Sequence, residues 1–525
     1  MFHHAEHIVV AIVVWCLGSC DAASSADWRS RAIYQVFTDR FARTDGSTTA
    51  SCSPGYEGYC GGSWKGIISK LDYIQDMGFT AVWISPVVQQ VSDPTRAYTG
   101  YAATDIYALN SNFGTASDLT DLASALHDRG MYLMIDVVAN HMAFDGTAET
   151  VDYSNLNPFN NQDYFHRLCW IDNYNNQTNL EDACLYPSFT REVTDLRSSA
   201  VDGLRVDTVK NVEKEFWSVF NTASGIYNLG EVSNGNVDYF CPYQDHLDGL
   251  IDYPTYYQAT QFFANKSATS TNFVKEVQAL NGTCNDTTLL GTFSENHDQP
   301  RFASYTSDLT VGLAETPFSG PRSNSEQLAK NIITYTMLAD GIPIIYQGQE
   351  QHFSGGTDPY NREALWLSKY HTHSELYQTI KNLNLIRAVA TNQSSTFLTS
   401  TTTTVYSDDN TVVFGKGESD HMVLTVVSNL GRHAKEATIT IPAAGLPKNI
   451  QVTDVVNCHS VDVDANGGLE IKIKQGRPMV FYPRSLMEST DLCKGKKSAA
   501  TPTYGPSAVS WGLAFTVSLL LGGVF

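Results

Sequence analysis

The sequence predicts an α/β fold: a parallel (β/α)8 TIM barrel with a loop-rich insertion after its third strand, followed by a C-terminal antiparallel β-sandwich domain. Three observations predict it. Eight short apolar runs recur with helical stretches between them, polar residues gather at the C-terminal ends of those runs, and after Arg387 the pattern changes to Thr and Val alternation between Gly and Asn turns. Apolar runs alternating with helices indicate βαβ units and a parallel sheet. Polar groups at strand C-termini are where barrel enzymes build their sites.

In chain order the runs are Ala32–Phe37, Ala81–Ile84, Tyr132–Val137, Leu204–Asp207, Tyr227–Glu231, Gly249–Asp252, Leu289–Phe293 and Pro343–Tyr346. The stretch from about 142 to 199 breaks the alternation, is rich in Asn, Asp, Tyr and Phe, and reads as the inserted subdomain of a catalytic barrel spanning 24–393. Val412-Val413-Phe414 and Met422-Val423-Leu424-Thr425-Val426-Val427 belong to the sandwich, 394–493. Lys, Ser, Thr, Pro and Gly dominate the linker, 494–508, a composition that does not bury enough apolar surface to fold.

The ends read as processing segments. An apolar run from Ile8 to Leu17 followed by small residues through Ala22 and Ala23 has the form of a signal peptide, 1–23, although its first residues carry His3, His4 and His7 and no Lys or Arg. Val509–Phe525 is a nearly continuous apolar tail with the small residues Ser498-Ala499-Ala500 upstream. That is the pattern of a GPI-attachment signal, with Ser498 as the expected attachment site and the membrane reached only through lipid. A plain C-terminal membrane anchor is the alternative reading. A secreted, cell-surface protein, tethered to the plasma membrane or the wall, is therefore expected. Of the ten cysteines, eight remain once Cys16 and Cys20 leave with the signal, an even number suited to disulfides. Sequons at Asn176, Asn265, Asn281, Asn285 and Asn392 agree with secretion. The formal charge of −21 argues against a nucleic-acid partner, which needs clustered Lys and Arg.

Chemistry concentrates in four segments at or just beyond strand ends: Asp136-Val137-Val138-Ala139-Asn140-His141, Gly203-Leu204-Arg205-Val206-Asp207, Gly230-Glu231-Val232 and Glu295-Asn296-His297-Asp298. Glycoside cleavage needs one carboxylate as nucleophile and one carboxyl as proton donor, and Asp207 and Glu231 are the candidates. Arg205 lies two residues from Asp207, hence on the same strand face, where it favours the ionised carboxylate. Glu231 needs a raised pKa to carry its proton, which neighbouring carboxylates promote.

These segments, in this order, resemble the conserved regions of the α-amylase family, glycoside hydrolase family 13. Asp27-Trp28-Arg29-Ser30, Thr38-Asp39-Arg40-Phe41-Ala42-Arg43-Thr44-Asp45-Gly46-Ser47, Tyr98-Thr99-Gly100-Tyr101 and Ile344-Ile345-Tyr346-Gln347-Gly348-Gln349-Glu350 resemble the secreted fungal α-amylases in particular. The likeness covers roughly 27–493. It implies Asp207 as nucleophile, Glu231 as general acid/base and Asp298 as the carboxylate that steadies the distorted sugar. It further implies sugar contacts from Tyr101, His141, Arg205, Lys210, Gly235, His297, Asp358 and Arg362. A calcium ion is implied too, with Asn140 and Glu181 as side-chain ligands and Asn211 through its backbone carbonyl. The implied disulfides are Cys52 with Cys60, Cys169 with Cys184, Cys241 with Cys284, and Cys458 with Cys493.

The chain departs from the family in three places. Asn211 stands where fungal α-amylases carry His, on the acceptor side of the site. Ala102 follows Tyr101 where the family usually has Trp, removing a donor-side stacking surface. A short segment joins Cys184 to Asp202 where the family has a longer one with a further calcium-ligand Asp. Either the calcium site and barrel are weakened there or the sequence lacks an internal piece. The anchor and the altered acceptor side also resemble a GPI-anchored subgroup that acts as 4-α-glucanotransferases in cell-wall α-glucan metabolism. Three readings follow: a retaining endo-hydrolase of α-1,4-glucans such as starch or maltooligosaccharides, a 4-α-glucanotransferase, or a weakly active glucan-binding wall protein. A monomer is expected.

Overall fold

The computed structural model describes residues 23–146, 150–165, 201–306 and 324–494. Eight parallel strands form one sheet: β1 Ile33–Val36, β2 Ala81–Ile84, β3 Tyr132–Val137, β4 Gly203–Val206, β5 Tyr227–Gly230, β6 Gly249–Leu250, β7 Gly291–Phe293 and β8 Ile342–Tyr346. They run in the order β6-β5-β4-β3-β2-β1-β8-β7. A parallel bridge between Ile251 and Gly291 closes the barrel. Each strand lies inside one of the eight apolar runs or overlaps it. Their near-continuous hydrophobicity follows from burial on both faces, by packed side chains inside and helices outside.

Alternation along the strands separates the two faces. Ile33, Ala81, Trp83, Met134, Leu229, Phe293 and Ile344 pack together in one cluster, while Tyr34, Val82, Ile84, Leu133, Ile135, Leu204, Val206 and Ile345 pack in the larger cluster under the helices. Trp28 plugs the N-terminal end, stacked on Tyr227 at 5.3 Å and donating from Nε1 to the Asp202 carbonyl at 3.0 Å. A Cβ on Gly203 would stand 2.7 Å from that indole, so the strand passes there only as glycine.

The helix Ala116–His127 shows how the outer layer forms. Thr115 and Asp118 make a reciprocal capping box, and Leu119, Leu122, Ala123 and Leu126 line one buried face at helical spacing.

The sequence reading did not anticipate the antiparallel pair Val88–Gln90 and Ala103–Leu109, which leads from β2 to Tyr101 and Ala102 and back. Within the inserted region the described residues include two short 3-10 turns, Tyr153–Asn155 and Gln162–Tyr164. Cys169, Cys184, Glu181 and Asn176 lie outside the described residues, as do Ser498 and the 1–22 segment. At the shortened crossover, β3 and β4 pair in register from Met134 with Gly203 to Val137 with Val206.

The C-terminal domain has β9 Thr403–Ser407, β10 Thr411–Lys416, β11 Val423–Ser428, β12 Ala437–Ile441, β13 Gln451–Asp454, β14 His459–Asp462, β15 Leu469–Ile473 and β16 Met479–Pro483. Six form an antiparallel sheet ordered β9-β10-β11-β16-β13-β14, and β12 pairs with β15. Their inner faces share one apolar cluster, including Val413, Leu424, Val426, Ile439, Ile471 and Phe481. The domain is pinned to the barrel by polar contacts: Asn331 accepts from the Ser428 amide at 2.8 Å and donates to the Gly476 carbonyl at 2.8 Å. Disulfides join Cys52 to Cys60, Cys241 to Cys284 and Cys458 to Cys493. Of the sequons, Asn265, Asn285 and Asn392 are exposed. Asn281 donates to the Thr402 carbonyl and Asn285 to Asp245.

Candidate active site

Strand parity brings the candidate groups to the barrel axis. Leu204 and Val206 pack outward, so Arg205 and Asp207 face inward. Met134 and Leu229 face inward and carry Asp136 and Glu231 to the same side, and Ile33 does the same for Gln35. Arg205 sits at the centre, 1% exposed. Its Nη1 donates to Asp136 Oδ1 at 2.9 Å and to Asp207 Oδ1 at 2.8 Å, and its Nη2 lies 3.0 Å from Glu231 Oε2. Trp83 Nε1 donates to Asp136 Oδ2 at 3.2 Å.

This concentration of buried charge sets the protonation states. Burial works against the Arg205 charge, yet Asp136, Glu231, Tyr101 and Asp207 hold the guanidinium well above its ordinary value. Burial lifts Asp136 to about 7 against the pull of Arg205. Burial also raises Glu231, with Arg205 opposing and Asp207 adding to the rise. Asp298 is pushed up to about 6 by burial and by Glu231, opposed by Arg205 and Arg362. A carboxyl with a raised pKa beside a carboxylate held by a guanidinium is the division of labour that acid-assisted glycoside cleavage needs.

Tyr101 and His297 form a chain of hydrogen bonds along one wall. The rings stack at 5.4 Å. Tyr101 donates to Asp136 Oδ2 at 2.6 Å, so its oxygen accepts from His297 Nε2 at 2.8 Å, and His297 Nδ1 then accepts from Gln35 Nε2 at 2.8 Å. Burial holds His297 neutral, well below its ordinary pKa, with Arg205 and Arg362 adding to the effect. His297 is buried, with Nε2 engaged by Tyr101 and Nδ1 by Gln35. His141 is exposed, and its Nε2 lies 2.9 Å from the Tyr101 carbonyl.

The remaining sites mark the two ends of the cleft. At one end Lys210 donates to the Ser233 carbonyl at 3.1 Å, and burial lowers its pKa. Gly235 lies beside Tyr257, whose ring a Cβ there would meet at 3.1 Å. At the other end Arg362 bridges Asp358 at 2.7 Å and Asp298 at 3.6 Å, and donates from Nε to the His297 carbonyl.

Two residues that sequence reasoning missed grip Glu231. The Thr208 amide donates to Oε2 at 3.1 Å and Tyr253 donates to Oε1 at 3.1 Å, while Asn296 donates to the Tyr253 oxygen at 3.0 Å. Thr208 also donates from Oγ1 to Asp207 Oδ2 at 3.0 Å. It holds φ +48, an unusual backbone conformation for a β-branched residue and a form of strain found at functional sites. Because the Tyr253 hydrogen bond favours the ionised form of Glu231, Tyr253→Phe is expected to raise the Glu231 pKa. The alkaline limb of the pH profile of kcat/KM then moves to higher pH. An unmoved limb would remove Tyr253 from that role.

Of the expected calcium ligands, Asn140 has a buried Oδ1 with no hydrogen-bond partner, as a side chain reserved for a hard cation would. Asn211 is half-buried in the 3-10 turn Val209–Asn211. Glu181 lies outside the described residues. Among the described residues no group of three His, Cys, Asp or Glu is placed to hold a metal.

Comparison with known proteins gives matches over most of the chain. The family model for the alpha amylase catalytic domain matches residues 35–193 and 177–410, and that for alpha-amylase domain C matches 404–501. Alpha-amylase 1 of Schwanniomyces occidentalis is 45% identical, the match covering 90% of this chain and 93% of that one. Alpha-amylase 1 of Lipomyces kononenkoae is 46% identical over 90% of this chain and 77% of its own. The solved structure of an alpha-amylase from Malbranchea cinnamomea superposes with TM-score 0.83 at 46% identity, covering 90% of this chain and all of that one.

Proposed function

Because the chain belongs to the alpha-amylase family of glycoside hydrolases, we propose that it hydrolyses internal α-1,4-glucosidic bonds of glucans with retention of configuration. Asp207 attacks the anomeric carbon as Glu231 protonates the departing oxygen, giving a glycosyl ester on Asp207. Glu231, now a carboxylate, takes a proton from water, which attacks the ester and frees Asp207. Arg205 donates to Asp207 at 2.8 Å and holds it in place through the first step. Asp298, braced by Arg362, faces the ring that flattens toward the oxocarbenium-like state. The observation that carries the reading is the grip of one buried guanidinium on both Asp207 and Glu231, which sets the two carboxyls close together as retention requires.

Incubation of the purified protein with maltopentaose, followed by chromatography, tests it. Shorter sugars alone support hydrolysis. Chain-lengthened products would replace it with transfer to a sugar hydroxyl, the reading favoured by the loss of an acceptor-side imidazole at Asn211. No turnover would favour a glucan-binding wall protein. Placement at the cell surface belongs to the same proposal and is supported by the leader-like and tail segments of the sequence.

Calcium is the implied cofactor, held by Asn140, Glu181 and the Asn211 carbonyl, where it would tie the inserted region to the barrel. Calcium at one hundred times its dissociation constant adds about 2.7 kcal/mol of stability. A chelator is therefore expected to lower Tm by a few degrees, and Asn140→Ala to abolish that response. A Tm indifferent to chelator would exclude the ion.

A further inference from the structure

Beyond Asp358 and Arg362 the cleft continues. An open cavity of about 310 Å³ reaches from Tyr101, Ala102 and His141 past Arg362 and Asp358 to Glu57. The aromatic ring usual in the family is absent at Ala102, so this inner part offers a sugar one stacking ring fewer. Two exposed rings sit on the loops that supply the cavity's lining residues Asp358 and Glu57. Tyr360, two residues from Asp358, is 57% exposed, and Tyr56, beside Glu57, is 50% exposed.

Both rings are held in place. Tyr360 lies against Gly55, where an added Cβ would stand 2.9 Å from Cε1, and Tyr56 lies over Gly58, where it would stand 2.8 Å from Cζ. The Tyr360 loop is tied to the site: Asn361 donates to the carbonyls of His297 and Gln299, both at 2.9 Å, and the Gly355 amide donates to Glu363 at 2.7 Å. The Tyr56 loop is closed by the Cys52–Cys60 disulfide and held by Arg40, which donates to the Tyr56 carbonyl at 2.7 Å. Large exposed rings on tied loops whose neighbouring residues line a substrate cleft suit the apolar faces of glucose units. Their cost in side-chain entropy is already met in the free protein.

We propose that Tyr360 and Tyr56 form an outer stacking platform for the donor end of a linear α-glucan, so that catalytic efficiency depends on chain length through rings remote from the reacting bond. The inference rests on the proposed action on α-1,4-glucans. Grip moved outward leaves short substrates loosely held and rewards chains long enough to reach the platform.

The test compares kcat/KM on maltotriose with that on soluble amylose. Tyr360→Ala is expected to lower the amylose value about tenfold, within the range of one lost aromatic stack, and to leave the maltotriose value unchanged. Tyr360→Phe keeps the ring and is expected to behave as the parent. An unchanged ratio in both Tyr360→Ala and the Tyr56→Ala/Tyr360→Ala double variant overturns the platform. Retardation of the protein in an amylose-containing native gel separates this from failure of the catalytic reading. Retardation lost on removing both rings supports the platform even in a protein without turnover, and retardation indifferent to them overturns it.

Discussion

Glu231→Gln is expected to lower kcat on maltopentaose by about 10²- to 10⁴-fold, the contribution of a positioned general acid/base. The substitution keeps the volume and one acceptor oxygen, enough for either Tyr253 or the Thr208 amide, so the fold and glucan binding should persist. What it removes is the proton. The loss should therefore shrink for a substrate whose leaving group needs no protonation, such as a glycosyl fluoride. Equal losses on both substrates would show that Glu231 acts otherwise than as the acid.

Arg205→Ala is expected to cost about 3 to 5 kcal/mol of stability, the usual penalty for breaking a buried ion pair and leaving its partners uncompensated. It also removes turnover. Asp136, Asp207 and Glu231 all lean on this guanidinium, and all are buried. Lys is no substitute, since a single ammonium lacks the fork that serves three carboxylates at once. The sign of the pH dependence is fixed by the same contacts. Without Arg205, Asp136 and Glu231, already raised by burial, rise further above their unfolded values. Acids with raised folded pKa values cost nothing while protonated and destabilise once pH forces them to ionise. The deficit, read from urea midpoints, should thus be larger at pH 7 than at pH 4. A pH-independent deficit would point to lost packing alone.

The barrel was legible because its strands are buried on both faces and therefore read as unbroken apolar runs, and because period-two counting from Leu204 places Arg205 and Asp207 on the axis. The pair Val88–Gln90 with Ala103–Leu109 was not legible. It is half-exposed, mixes Ala, Asp and Thr with apolar residues, and shifts register twice, so no clean alternation survives. Within the site, the three carboxylates and Arg205 could be named from residue type and motif. Tyr253 could not, since it opens a helix after the sixth strand and meets Glu231 only through the pairing of the fifth and sixth strands. The hold of Thr208 depends on a left-handed backbone that no local pattern announces. His297 was named from the motif, but its burial and its bond to Tyr101 are tertiary facts that no local pattern announces.

The covalent intermediate is the central claim, and mass spectrometry of trapped enzyme tests it most directly. The Glu231→Gln protein, incubated with an α-glucosyl or maltosyl fluoride and digested, is expected to carry one glycosyl group on the peptide containing Asp207. An unmodified Asp207 peptide under conditions in which fluoride is released, or a glycosyl group on another residue, would contradict the account.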